Sequence, residues 1–142
     1  MRQKNLLPVS LLLFFLLLIT TACGQPRPAG MSDEQVQAVT ASLLNALEEK
    51  NYTAFKEYLS DEMIAALPED QFLALSEDIR NASGRFLTTG EMRLSNRNEY
   101  AIYRMMCDYE KEKVVVTIVF KINGTKVEGL FFDSVNLRQT QK

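Results

Sequence analysis

The sequence predicts an α+β domain in which N-terminal helices pack on one face of a four-stranded antiparallel sheet. Apolar residues recur at three- and four-residue steps as far as Ile79 and at two-residue steps after Gly84, as expected for helices followed by strands. Short turn signals separate the later segments, which favours a meander. Elements segregated in this way pack as helices against one sheet face.

The first helix is predicted from Ser32 to about Lys50. Ser32 and Gln35 form a capping box, in which each side chain bonds the other residue's backbone N–H. The acidic first turn suits the positive end of the helix dipole. One stripe of the helix is apolar and consists of Val36, Val39, Leu43 and Leu47.

Three shorter helical segments are predicted next. Thr53 is expected to cap the first and Ser60 to begin the second, while Pro68 suits the first turn of the third. The third segment is expected to end between residues 81 and 84. Its predicted apolar contacts are Phe72, Leu73, Leu75 and Ile79.

Four strands are predicted at residues 86–94, 99–110, 114–120 and 125–133, and Gly90 marks a bulge in the first. The second strand alternates. One of its faces carries Tyr100, Ile102, Arg104, Met106 and Asp108, and the other carries Ala101, Tyr103, Met105, Cys107 and Tyr109.

The third predicted strand is apolar on both faces, so the sheet is either covered on both sides or used in association. Phe131 and Phe132 also point to opposite faces. Asn123-Gly124 is expected to form a type I′ turn with positive φ at both residues. The polar residues 136–142 are expected to form a frayed tail.

The N-terminal segment predicts export and a lipid anchor. Arg2 and Lys4 precede an uncharged run, residues 5–22, as in a secretory signal; an uncleaved membrane anchor is the alternative. Residues 20–23 resemble the lipobox of bacterial lipoproteins. That resemblance implies cleavage after residue 22 and acylation of Cys23, whereas an ordinary cleaved signal would leave the cysteine incidental.

The predicted organisation is a signal peptide at 1–22, a lipidated tether at 23–31, a domain at 32–135 and a tail at 136–142. Loss of Arg2 and Lys4 would change the formal net charge from −2 to −4. An acidic chain without a polybasic patch is a poor nucleic-acid partner, and its acyl chains, of the palmitate type, would hold it at the cell membrane on the extracytoplasmic side.

Two stretches resemble known families. "LLNALEEKNYTAFKEYLSDEM", residues 43–63, resembles the helical opening of nuclear-transport-factor-2-like domains. "CDYEKEKVVVTIVFKINGTKVEGLFFD", residues 107–133, resembles the closing strands of the domain of unknown function 3887 family, which is usually placed in that superfamily. The resemblance implies a curved antiparallel sheet wrapped by helices into a cone, and it carries over no catalytic motif.

The composition excludes the commonest catalytic and metal-binding sets. The chain has no histidine and only Cys107 besides Cys23, so Ser-His-Asp catalysis and an ordinary zinc site are not expected. No glycine-rich phosphate loop occurs. We therefore expect no catalytic set, no metal, no cofactor and no internal disulfide.

A candidate pocket remains on the second strand. Arg104 and Asp108 share a face with Tyr100 and would offer a guanidinium fork and a carboxylate; the alternative is an exposed face with a loose charge pair. Tyr103 lies on the other face. Cys107 is either a reactive thiol or a buried, inert one, and no basic residue neighbours it on its face.

The leading functional hypothesis is a membrane-tethered, non-catalytic domain that binds a small ligand or a protein partner. One alternative is a small enzyme with Asp108 or Asp133 as base and Tyr103 as acid; Glu128 is a further carboxylate of this kind. The other alternative is a module that forms a homodimer through the valine-rich sheet face.

Overall fold

The computed structural model describes residues 27, 28 and 31–140. In these residues four helices are followed by four strands and a fifth helix. The strands form an antiparallel sheet, so the predicted α+β class is confirmed. The predicted signal peptide and Cys23 lie outside the described residues.

Helix α1 spans Asp33–Glu48 and begins with the predicted capping box. Ser32 Oγ accepts a hydrogen bond from the backbone N–H of Gln35 at 3.3 Å, and Gln35 Oε1 accepts one from the Ser32 N–H at 2.7 Å. The chain turns away at Lys50, which has a φ of 55°. The buried stripe of α1 consists of Val36, Thr40, Leu43, Leu44, Ala46 and Leu47.

Helices α2 (Tyr52–Lys56) and α3 (Asp61–Ala66) are short. The prediction that Thr53 caps α2 is wrong, because Asn51 Oδ1 accepts the hydrogen bond from the backbone N–H of Ala54 at 3.1 Å. Asparagine caps helices at least as well as threonine. Ser60 caps α3 as predicted.

Helix α4 spans Glu69–Ser83. Phe72 and Ile79 are buried as predicted, but Leu73 is 39% exposed. Ser76 takes the buried position instead and donates a hydrogen bond to the Leu47 carbonyl oxygen at 2.8 Å. At 3.6 residues per turn, residues 72, 76 and 79 fall in one narrow stripe of the helix, and residue 73 lies to one side of that stripe.

The sheet consists of β1 (Phe86–Arg97), β2 (Tyr100–Tyr109), β3 (Lys113–Lys121) and β4 (Val127–Asp133), in that order across the sheet. The register of β1 against β2 shifts between Thr89 and Met92. Gly90 lies within this shift, so the predicted bulge is confirmed.

The prediction of a type I′ turn at Asn123-Gly124 is wrong. Positive φ angles among the described residues occur only at Lys50, Gly84 and Asn98. Residues 122–126 form a longer connection between β3 and β4, whereas Asn98, with a φ of 55°, lies in the two-residue turn between β1 and β2. Asparagine tolerates the left-handed conformation better than most residues.

The inner face of the sheet, which we define as the face that meets the helices, is closely packed. Tyr103 and Phe120 are fully buried there with ring centroids 6.0 Å apart, and Phe55 of α2 lies 4.8 Å from Phe72 of α4. Other buried residues of this face are Ala101, Met105, Cys107, Tyr109, Val114, Val116 and Ile118.

Helix α5 spans Val135–Thr140, where the sequence suggested a polar tail. Leu137 is buried, and Ser134 Oγ donates a hydrogen bond to Glu112 Oε1 at 2.7 Å while it accepts one from the Leu137 N–H at 3.2 Å. A single apolar residue in a polar segment gave no helical period that could predict this element.

Candidate functional site

The outer face of the sheet, opposite the helices, is the candidate functional surface. Its β2 and β3 residues alternate with the buried inner-face residues and keep partial exposure. No helix residue lines either of the two hollows found on this face. Met106 and Phe131, 41% and 62% exposed, are the large apolar residues that stand out from it.

The larger hollow, which we call the outer-face hollow, has a volume of about 440 Å³. This volume falls in the range of roughly 300–1,000 Å³ found for small-molecule sites. Its lining combines apolar and aromatic residues with a few polar ones: Arg97, Asn98, Tyr100, Ile102, Val119, Glu128, Gly129 and Phe131.

Gly129 allows close packing at one wall of the outer-face hollow. A Cβ atom at this position would lie 3.1 Å from Phe131 Cε2 and 3.4 Å from Val119 Cβ. A glycine inside a strand often marks a place where another group approaches closely. Here the absent side chain lets the Phe131 ring and Val119 approach the β4 backbone closely at one wall of the hollow.

Charged groups of both signs surround the hollow. Glu128 Oε1 lies 3.3 Å from Lys121 Nζ, and the Glu128 side chain is only 15% exposed. The Glu128 carboxylate, by hydrogen bonding and by its charge, raises the pKa of Lys121. Arg97 forms no ion pair with any described residue, so its guanidinium is available to an anionic group.

The predicted pocket residues do not share one site. Tyr100 lines the outer-face hollow. Arg104 lines a second hollow of about 240 Å³, together with Arg93 and Met106. Asp108 forms an ion pair with Lys113 and lines neither hollow. Three of the four residues therefore lie along one face, at separate places.

Tyr103, the fourth of these residues, is fully buried on the inner face. Burial raises the pKa of Tyr103, and the negative charge of Asp33 adds to this effect. Its hydroxyl has no hydrogen-bond partner among the described residues. The sheet itself therefore separates Tyr103 from Asp108, and the structure does not bring the hypothetical acid and base together.

The other carboxylate weighed as a base, Asp133, is held by an arginine. Arg138 Nε and Nη2 donate to the two Asp133 oxygens at 2.6 and 2.7 Å. These hydrogen bonds lower the pKa of Asp133. A carboxylate stabilised in its charged form by an arginine is a weaker proton acceptor than a free one.

Cys107 is fully buried on the inner face. Of its two predicted alternatives, a reactive thiol or a buried one, the structure agrees with the buried thiol. Burial raises the pKa of the thiol to about 12. The thiolate is the nucleophilic form, so burial holds Cys107 in its less reactive, protonated form. No group of His, Cys, Asp and Glu residues that could hold a metal is present among the described residues.

The sequence did not single out Arg97, Gly129 or the wall formed by Phe131. Two signals pointed to this surface: the apolar outer side of the third strand, at Val115 and Val119, and the opposite directions of Phe131 and Phe132. The hollow itself depends on the register that places Gly129 beside Val119, and this register could not be derived from the predicted turn.

An α+β domain with helices on one face of an open antiparallel sheet and a hollow on the other is the class defined by the fold and this surface. The chain belongs to the family described as Protein of unknown function (DUF3887), whose model matches residues 40–130. A search of the curated proteins finds no match. None of the described helices is long and apolar enough to cross a membrane.

Proposed function

We propose that this chain is a lipid-anchored extracytoplasmic domain of the nuclear-transport-factor-2-like superfamily that binds a ligand or partner without catalysing a reaction. The observation that carries the proposal is the outer-face hollow, with its apolar floor and charged rim. Concave, mostly apolar sites with a few polar groups are the usual form of binding sites.

The lining indicates which chemistry the site would take. Ile102 and Val119 offer an apolar floor, and Tyr100 and Phe131 offer aromatic walls. Arg97, free of an ion pair within the described residues, suits a carboxylate or another anion. A group with an apolar body and one anionic end fits this arrangement best, either as a small molecule or as part of a protein.

A titration of the full chain in lipid nanodiscs with 4-phenylbutyrate tests the binding proposal. Millimolar probe should shift the backbone amide resonances of Tyr100, Val119 and Gly129 in a saturable way, because these residues surround the hollow. Gly129→Val, whose side chain would push against Val119 and Phe131 and so distort the hollow, should abolish the shifts, and Gly124→Ala, outside the hollow, should retain them. Equal shifts in both variants, or none in either, would reject the site.

The anchor rests on the sequence, because Cys23 and the residues before it lie outside the described residues. A basic start, an uncharged run and small residues before a cysteine support cleavage and acylation at Cys23. The tether from Cys23 to Met31, with two prolines, would hold the domain close to the membrane.

Intact mass and fractionation test the anchor. The mature protein should begin at Cys23, carry acyl chains and sediment with membranes. The Cys23→Ala variant should either retain its signal peptide or be released from the membrane fraction. A mature chain with a free Cys23 thiol, or one that retains residues 1–22, would contradict the anchor and leave the binding site untouched.

A further inference from the structure

The free edge of β4 is flanked by cavities on both faces of the sheet. On the outer side lies the outer-face hollow. On the inner side lies a groove of about 300 Å³ formed by α4 (Leu75, Asp78 and Ile79), by β4 residues 130–132 and by Leu137 of α5. Phe131 lines both cavities and therefore stands between them.

The free edge of β4, on the side away from β3, has backbone N–H and C=O groups without partners among the described residues. A short parallel bridge covers its start, where Ser60 N–H donates to the Val127 carbonyl at 2.9 Å and Val127 N–H donates to the Tyr58 carbonyl at 2.9 Å. From Glu128 to Asp133 the described residues supply no backbone partner other than β3. An uncapped strand edge of this kind is a template for another strand.

We propose that β4 is a docking edge at which an extended segment of another protein adds as a fifth strand; this inference rests on the binding role proposed for the outer-face hollow. Successive side chains of a strand point to opposite faces of a sheet. Two adjacent apolar side chains of the incoming segment would therefore enter the outer-face hollow and the inner-side groove, while its backbone pairs with β4.

Charge indicates what else the segment carries. Asp78 lies in the groove, is exposed and forms no ion pair with any described residue. A lysine next to the two apolar residues of the incoming segment would form an ion pair with the Asp78 carboxylate.

A second copy of this chain fits the edge less well. Self-pairing would bring β4 of the second copy, Val127–Asp133, to the edge, and this segment has no lysine or arginine that could pair with Asp78. The charge of the groove therefore favours a different protein as the partner.

Hydrogen exchange of the full chain in nanodiscs tests the proposal, with a capped seven-residue peptide as the probe. The peptide has two adjacent valines flanked by threonines and one lysine. Bound peptide should slow amide exchange in residues 129–133 of β4 at least about tenfold, since new backbone hydrogen bonds protect amides. Exchange in β1, the other edge strand, should not change. The same peptide with all amides N-methylated should not protect β4.

Side-chain variants separate the contacts. Phe131→Ser should lower the affinity for the peptide at least about tenfold, as removal of a central aromatic contact does. Leu87→Ser, which removes an exposed apolar residue from β1, should have no effect. Asp78→Lys should lower the affinity for the peptide that contains lysine. The same variant should bind a peptide in which glutamate replaces the lysine.

Four outcomes would overturn the proposal. Equal binding of the N-methylated peptide would show that the backbone edge is not used. Protection of β4 that rises with protein concentration in the absence of peptide would assign the edge to a second copy. Amide shifts with 4-phenylbutyrate but no β4 protection by peptide would reject strand addition and leave the proposed function standing, whereas loss of both would reject the two together.

Discussion

At the scale of single residues, the carboxylate of Glu112 joins three parts of the chain. Ser83 at the end of α4 and Ser134 before α5 each donate a hydrogen bond to Oε1 at 2.7 Å, and the backbone N–H of Asn136 donates to Oε2 at 3.2 Å. Glu112 lies in the turn between β2 and β3, so its side chain fixes both helix ends against the sheet.

We expect Glu112→Gln to lower the free energy of unfolding by about 1–3 kcal/mol at pH 7, because charge-assisted hydrogen bonds are replaced by neutral ones and a side-chain amide would face the Asn136 N–H. Urea denaturation followed by circular dichroism measures this change. Glu99→Gln, in the exposed turn before β2, is the control and should be near neutral.

The effect of Glu112→Gln should depend on pH. Burial tends to raise the pKa of Glu112, but hydrogen bonds from Ser83, Ser134 and the backbone hold it below its ordinary value. A carboxyl whose folded pKa is lowered stabilises the fold above its unfolded pKa of about 4.3, and this stability is lost as pH falls through the folded pKa. The two proteins should converge in stability as pH falls through the folded pKa of Glu112; a constant difference would contradict the role of the charge.

Thiol labelling examines Cys107 and Cys23 together. In the native protein at pH 8, N-ethylmaleimide should not label Cys107, because burial raises its pKa to about 12 and excludes the reagent. After unfolding in urea, mass spectrometry should detect one added label if Cys23 is acylated and two if it is free. Rapid labelling of native Cys107 would contradict the packing of the inner face.

The residues of the candidate site were predictable only in part. Period-two alternation correctly placed Tyr100 and Arg104 on one face and Tyr103 on the other, since this alternation is intrinsic to a strand. Partners across strands depend on register. The neighbours of Tyr100 in the hollow, Glu128 and Phe131, therefore could not be derived from its own strand.

At the scale of elements, the bulge of β1 depends on Gly90. A Cβ atom there would overlap the backbone carbonyl oxygen of Met106, which cannot move without disturbing the strand pair. We expect Gly90→Ala to cost about 2 kcal/mol or more of stability, in the range of overpacking effects. Thermal unfolding measures this loss.

Gly124→Ala is the matched control for Gly90→Ala. A Cβ atom at Gly124 would meet Lys121 at ordinary contact distances of 3.4 and 3.6 Å, and its φ is not positive. We expect this variant to be within about 0.5 kcal/mol of the parent. A larger loss at Gly124 than at Gly90 would mean that the turn between β3 and β4 is tighter than described.

The helices and strands themselves were largely predictable, because capping residues and apolar periods are local signals. The Ser32 capping box and the Gly90 bulge are examples. The turns were harder to predict from the sequence. Asn123-Gly124 carried the stronger sequence signal for a tight turn, yet Asn98 adopts the left-handed conformation, since strand register decides how many residues a turn must span.

At the scale of the whole molecule, the inner face of the sheet stabilises the fold and the outer face carries the proposed binding site. The inner face holds the core beneath the helices, while the outer face and the β4 edge keep apolar groups accessible, with Phe131 62% exposed. Accessible apolar groups on this surface are what the proposed binding role requires. A membrane anchor at Cys23 would keep this surface near partners that are themselves held at the membrane.

Photo-crosslinking in living cells tests membrane-tethered binding most directly. A photoreactive benzoylphenylalanine in place of Phe131 should give discrete crosslinked products in the membrane fraction. Addition of Gly129→Val should suppress these products, whereas Gly124→Ala should not, and the same probe in place of Leu87 should give none. Equal products from positions 131 and 87, or products from 131 that persist with Gly129→Val, would contradict a binding role for the outer-face hollow.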